Sequence, residues 1–185
     1  MENRLVQATP AAAFGLRSVR DLKLTQNDQG WLVGDGGLVQ RTTDAGRSWH
    51  PPGQDLAQGP SAQCDWRAVA AREGPQGTKL WIVGAPGSAV LRSADDGATW
   101  ELLPTGQPLP LNDVAFLDDQ HGIAVGALGV ILATDDGGRT WSKQSRGEKR
   151  PALWACFADP QSMPAELIAH AAAEEGYRTA VTLLG

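Results

Sequence analysis

The sequence predicts a mainly β fold: three four-stranded antiparallel blades of the propeller type, forming an incomplete propeller, followed by a short βαβ segment. Three observations predict it. A motif, [ST]-x-D-x-G-x-[ST]-W, occurs at 42–49 (TTDAGRSW), 93–100 (SADDGATW) and 134–141 (TDDGGRTW). Its copies recur at blade spacing: Trp49 to Trp100 is 51 residues and Trp100 to Trp141 is 41, where a four-stranded blade takes about 40–50. Finally, 22 Gly and 12 Pro among 185 residues supply the tight turns that short strands need.

Residues 1–17 read as an N-terminal tail, 18–145 as the repeats and 146–185 as a partial α/β unit. Each repeat opens on an apolar segment, "SVRDLKL", "DWRAVAA" or "LNDVAFL". A second apolar run ends in Val-Gly, a Gly-containing turn follows, and a third run enters the box. Gly34 to Trp49 and Gly126 to Trp141 are both fifteen residues, while Gly84 to Trp100 is sixteen, which places an extra residue near Pro86. In the last repeat the strands are expected at 111–117, 122–126, 129–134 and 139–143, joined by tight turns. The Pro/Gly-rich stretch 51–63 absorbs the longer first period and reads as a surface excursion.

The box has the residues of a locked hairpin. Asp44, Asp95 and Asp136 suit acceptance of backbone N–H groups across the turn. Gly46, Gly97 and Gly138 suit a positive φ. Thr42, Ser93 and Thr134 open the boxes and Ser48, Thr99 and Thr140 close them with hydroxyls. Trp49, Trp100 and Trp141 are expected to begin the outgoing strand and to bury a large ring between blades. A catalytic site rarely occurs in three copies, and a calcium loop needs several oxygen ligands in fixed order where each box has one or two carboxylates. The boxes are therefore read as structural, with no catalytic residue, metal ligand or cofactor assigned.

Composition excludes other classes. Net charge is −5 and no basic run occurs, so there is no nucleic-acid footprint. No stretch approaches a membrane span. Cys64 and Cys156 share no metal-ligand spacing and read as buried thiols. His50, His121 and His170 are scattered and read as surface or turn residues. The first residues lack a continuous apolar run, so no export signal is visible, and localisation stays open.

The boxes resemble the Asp-box, or bacterial neuraminidase repeat. The longer unit "LNDVAFLDDQHGIAVGALGVILATDDGGRTW" is similar to the repeat of photosystem II assembly and stability factor-like propellers, over residues 18–143. This resemblance implies a β-propeller; box relatives include sialidases, peptide-binding sorting receptors and assembly factors. Sialidases use an arginine cluster and a tyrosine nucleophile, whereas Tyr177 lies outside the repeats. After residue 150, "PALWACFADP", "PAELIAHAAAEEGY" and "YRTAVTLL" read as strand, helix and strand. They resemble the opening of PIG-L-type zinc deacetylases, with Asp159 at the place of that family's histidine ligand and Gln161 and Ser162 at that of its paired aspartates. That donor set implies no zinc. "LWACFAD" also lines up with "LNDVAFLD", the first strand of a blade.

The function expected is a non-enzymatic binding or assembly module with a protein or peptide partner, within a longer protein or closed by a partner. The alternative is the N-terminal portion of a degenerate or truncated PIG-L-type deacetylase or other carbohydrate-active enzyme. Open blade edges are expected to promote self-association.

Overall fold

A computed structural model of the protein describes residues 17–144 except 27, 54, 55, 57, 58 and 76. The predicted α/β unit, with Cys156, Asp159, His170 and Tyr177, lies outside the described residues, as does nearly all of the tail. Among the described residues eleven strands form three sheets. β1 (Val19–Leu24), β2 (Gly30–Gly34) and β3 (Leu38–Thr42) make blade 1. β4 (Asp65–Gly74), β5 (Gly77–Ala85), β6 (Ala89–Ser93) and β7 (Glu101–Pro104) make blade 2. β8 (Leu111–Phe116), β9 (Gly122–Gly126), β10 (Ile131–Thr134) and β11 (Ser142–Lys143) make blade 3. Within each blade, sequential strands are antiparallel neighbours, and the first strands β1, β4 and β8 lie side by side from blade to blade.

Register repeats with the sequence. Val19, Trp66 and Leu111 face Gly34, Gly84 and Gly126, and the pairing then shifts by one residue, leaving Arg20, Arg67 and Asn112 as bulges. The next turn shows where the long spacing in blade 2 arises. Gly34 pairs Leu38 across three residues, whereas Gly84 pairs Ala89 across four, Ala85 to Ser88, so the added residue sits in the turn that contains Pro86.

Four details differ from the sequence reading. Blade 1 has three strands, its fourth reduced to one bridge between Arg41 and His50; Pro51 and Pro52 follow and offer no N–H to extend a ladder. In blade 3 the third strand starts at Ile131, because Ala127–Gly129 form a tight turn with Leu128 at φ 54° and Gly129 at φ 74°. The outgoing strand begins after Trp141 and not at 139, since the box binds the backbone of 137–140 to itself or to the first hairpin. The stretch 51–63 is only partly a surface excursion: Leu56 is buried among the core residues between blades 1 and 2.

Two cores fill the spaces between blades. Trp31, Val33 and Val39 of blade 1 meet Trp66, Val69, Ile82, Leu91 and Trp100 of blade 2, with Leu56 and Cys64 from the connecting segment. Cys64 is a buried free thiol. Trp81, Val83 and Val90 of blade 2 meet Leu111, Val114, Phe116, Ala124 and Leu132 of blade 3. Three fully enclosed indoles, Trp31, Trp66 and Trp81, dominate this burial. Of the box tryptophans Trp100 is buried, though less completely, edge-on to Trp31 at 5.4 Å; Trp49 and Trp141 are half-buried. The box tryptophan follows a surface turn, while strand residues beneath it carry the rings inward.

Trp31 and Trp81 occupy one position of the repeat, each three residues before the turn glycine. Each packs on the box glycine of the following blade. A Cβ on Gly97 would enter the Trp31 ring, and one on Gly138 would come within 2.6 Å of Trp81 Nε1. Trp81 Nε1 and Arg92 Nε both donate to the carbonyl of Gly137 in the next box, each at 2.8 Å. A Cβ on Gly46 would meet only its own Trp49, at 3.5 Å.

That contrast gives a matched test. Gly46 and Gly97 both have positive φ, 83° and 74°, so alanine at either costs about 1–2 kcal/mol in backbone strain. Gly97→Ala adds overpacking against Trp31, about 1–3 kcal/mol more. Urea unfolding should rank Gly97→Ala clearly below Gly46→Ala; equal losses would mean that the ring does not hold the glycine.

Candidate binding surface

The three boxes have one geometry. The first hydroxyl donates to the carboxylate at 2.8 Å in all three: Thr42 to Asp44, Ser93 to Asp95 and Thr134 to Asp136. That same oxygen accepts the N–H of Gly46, Gly97 or Gly138 at 2.9 Å. The carboxylate accepts the backbone N–H of Ser48, Thr99 or Thr140 at 2.8–2.9 Å. It also accepts their hydroxyls at 2.6 Å. The residue before each glycine is left-handed, with φ 57° at Ala45, 56° at Asp96 and 73° at Gly137. Its N–H donates to the first hairpin of its own blade, at the carbonyls of Asp28, Thr78 and Gln120. The indole N–H groups of Trp100 and Trp141 close back on the carbonyls of Gly97 and Gly138.

Carboxylates that accept so many hydrogen bonds stay ionised. Asp44 is lowered to about 2, chiefly by the Ser48 hydroxyl and its N–H, with Thr42 adding to them. Asp95 is lowered in the same way, first by Thr99. In Asp136 burial pushes upward but is outweighed by Thr140 and Thr134, and the carboxyl is again lowered. These oxygens are engaged within their own turns; among the described residues no group of three or more His, Cys, Asp or Glu could hold a metal ion.

Hydrogen bonding separates two ends of the blades. Boxes and first hairpins share one end. The opposite end carries the turns between second and third strands, and these receive the segments that connect blades. Gly37 N–H donates to Cys64 O at 2.7 Å, and Ser88 N–H to Gln107 O at 3.1 Å. Gly36 N–H donates to the Asp65 carboxylate at 2.9 Å. The bulges lie here, at the starts of the innermost strands. A bulge re-aims a side chain, and here it turns Arg20 and Arg67 to the turn end. Arg20 makes a bidentate pair with Asp35 at 2.8 and 2.9 Å yet stays half exposed. Arg67 Nη1 donates to Asn112 Oδ1 at 2.6 Å. Asp35 is lowered first by its hydrogen bonds from Arg20, and Arg67 adds to the effect. Across the seam, Asp21 Oδ2 accepts the N–H of Val69 at 2.9 Å. The result is two arginines at the starts of the innermost strands, Arg20 held by Asp35 and Arg67 by Asn112, away from the box network.

His50 lies exposed beside the first box, and His121 sits in the first turn of blade 3, its Nδ1 2.8 Å from Asp118 Oδ2. Sequence reading did not single out Trp31, Trp81, Arg92, Arg20 or Arg67. For the two tryptophans a signal exists: "GWLVG" and "LWIVG" place Trp at the same repeat position.

Box ionisation sets a pH dependence. A carboxyl whose pKa is lowered on folding adds stability above its unfolded value, about 3.9, and that contribution is lost as pH falls toward 2. Thermal stability should therefore fall steeply as pH drops from about 4 to 2. A triple variant, Asp44→Asn, Asp95→Asn and Asp136→Asn, should be less stable at pH 7 and flatter across that window. A triple variant as steep as the parent would mean that other groups titrate there.

The family model described as photosynthesis system II assembly factor YCF48 matches residues 15–112, more than half of the chain. The photosystem II assembly lipoprotein Ycf48 of Synechococcus sp. (strain CC9902) is 29% identical over 124 residues, 65% of this chain and 35% of that protein. The photosystem II stability/assembly factor HCF136 of Arabidopsis thaliana is 28% identical over 116 residues, 61% of this chain and 27% of that protein. The chain thus spans about a third of the length of these relatives. Among solved structures, YCF48 bound to D1 peptide superposes with a TM-score of 0.59 at 26% identity, covering 71% of this chain and 40% of that one. YCF48 from Cyanidioschyzon merolae gives 0.57 at 27%, covering 74% and 42%. An ancestral GH74 enzyme gives 0.53 at 19% identity, which shows the shared fold alone. With its repeat, its three blades and its match over more than half its length, the chain belongs to the photosystem II assembly factor YCF48 family.

Proposed function

We propose that this chain is a non-enzymatic assembly-factor module that holds a peptide segment of a partner protein at the turn end of its blades. The observation that carries the reading is the pair of bulge arginines of the innermost strands, Arg20 exposed and Arg67 half-buried, while the box end is occupied by its own hydrogen bonds. Support comes from family relatives named as assembly factors and from a relative solved with a D1 peptide. The deacetylase alternative gains no such support. We assign the box residues, Thr42 to Trp49 and their counterparts in the other two boxes, a structural role. We also retain as a proposal the division into a tail (1–17), repeats (18–145) and a separate unit (146–185). No helix among the described residues is long and apolar enough to cross a membrane. Self-association of the open array belongs to the same reading.

Charge-assisted hydrogen bonds carry about 1.5–3 kcal/mol each, and about 1.4 kcal/mol is tenfold in affinity. Titration with a D1 peptide, followed by fluorescence anisotropy, should show affinity falling about tenfold in Arg20→Ala and in Arg67→Ala. It should also fall as salt is raised. Lys143→Ala, on the outermost strand of blade 3, should bind as the parent does. Unchanged binding in both arginine variants would remove the turn end as the site.

A further inference from the structure

Three positions of the innermost strand are apolar in every blade: Val19, Trp66 and Leu111; Leu22, Val69 and Val114; Leu24, Ala71 and Phe116. In blades 2 and 3 the preceding blade covers most of them, leaving Trp66 and Leu111 at 0% exposure, Val69 at 5% and Val114 and Phe116 at 6%, with Ala71 partly buried. In blade 1 the same positions stand open, with Val19 and Leu22 at 47% and Leu24 at 53%. The box glycine repeats the contrast, since Gly97 and Gly138 lie under an indole from the blade before and Gly46 lies under its own Trp49. Blade 1 therefore displays the surface on which blades 2 and 3 each receive a neighbour.

The complementary surface is the trailing side of blade 3. Ile123, Val125 and Ile131 take the register positions at which blade 2 has Trp81, Val83 and Val90 and blade 1 has Trp31, Val33 and Val39. All three are apolar and half-buried. At the bulge, Asn112 stands in blade 3 where Arg67 stands in blade 2, so a following Arg20 would meet the amide that already accepts from Arg67.

We propose that the leading face of blade 1 docks the trailing face of blade 3 from a second copy of this chain, head to tail. The contact continues the interface already formed twice within the chain, with Ile123 over Gly46 as Trp31 lies over Gly97. The described blades of two copies number six, within the range of about four to eight that propellers use. This inference rests on the open array described under Proposed function. It differs from edge pairing in using blade faces, and from a symmetric dimer in using two different surfaces. Ile123 has no indole N–H for the Ala45 carbonyl, and Ala133 stands where Arg41 and Arg92 stand in the earlier blades. The intermolecular contact therefore lacks the polar clamp that joins blade 2 to blade 3, and association is reversible.

Sedimentation velocity of the full chain over a roughly thousandfold concentration range tests it. Average mass should rise toward two copies. Leu22→Asp on the leading face and Ile131→Asp on the trailing face should each weaken association about tenfold or more. An equimolar mixture of the two should recover it, because each variant retains the face the other has lost. Near-ultraviolet circular dichroism verifies folding, and Leu22→Ser with Ile131→Ser replaces any variant that fails it. A parent that stays monomeric throughout, as a site reserved for a blade of a longer chain would give, overturns the proposal. So does association indifferent to both substitutions, or a mixture that stays monomeric. Peptide affinity measured on Leu22→Asp should match the parent, so failure of docking and failure of peptide binding are read separately.

Discussion

A tryptophan from the second strand of one blade lying on the box glycine of the next is the contact on which the rest of this structure depends. A four-stranded sheet has two faces, and neither is stable until a neighbour covers it. The indole supplies the largest apolar area available to a single side chain. The glycine is what lets so large a ring come down onto backbone, and its left-handed conformation is what ends the hairpin. One residue thus meets a requirement of its own turn and a requirement of the neighbouring blade. In the seam between blades 2 and 3 the contact has a polar component as well, because Trp81 and Arg92 converge on the Gly137 carbonyl. Phe116 stacks on Trp81 at 3.6 Å and meets Trp141 edge-on at 5.9 Å, continuing the aromatic contact into blade 3.

The box follows from that demand. A turn pressed beneath a ring cannot leave backbone N–H groups unpaired without a cost of about 1–3 kcal/mol for each. Serine or threonine, aspartate, and a second hydroxyl satisfy these groups from within eight residues. Every box carboxylate oxygen is engaged in the process. At the other end the turns bind the segments that connect blades. Arg20 and Arg67 project because bulges re-aim them, on a scaffold whose rigidity is secured elsewhere.

Local features were legible in the sequence and contacts between blades were not. The three boxes, the blade period and the added residue near Pro86 depend on turn chemistry and hairpin register, both set within a few residues. Blade 1 lost its fourth strand to Pro51 and Pro52, a local signal that was present and outweighed by the repeat. Leu56 could not be placed, because its burial depends on Trp31 and Trp100, 25 and 44 residues away in sequence. The same holds for the tryptophans. Box position drew attention to Trp49, Trp100 and Trp141, while full burial falls to Trp31, Trp66 and Trp81, whose partners lie in other blades. Arg20 and Arg67 share a bulge that only pairing reveals, since in the sequence both read as ordinary polar residues of a strand.

Hydrogen exchange of box amides in Trp81→Ala tests the central claim most directly. Repeat architectures transmit disturbance chiefly to nearest neighbours. If the indole of one blade holds the box of the next, the amides of Gly138 and Thr140 in blade 3 should exchange much faster in this variant, while those of Gly46 and Ser48 in blade 1 keep their parental rates. A rise confined to blade 2, or equal in all three boxes, would contradict the account.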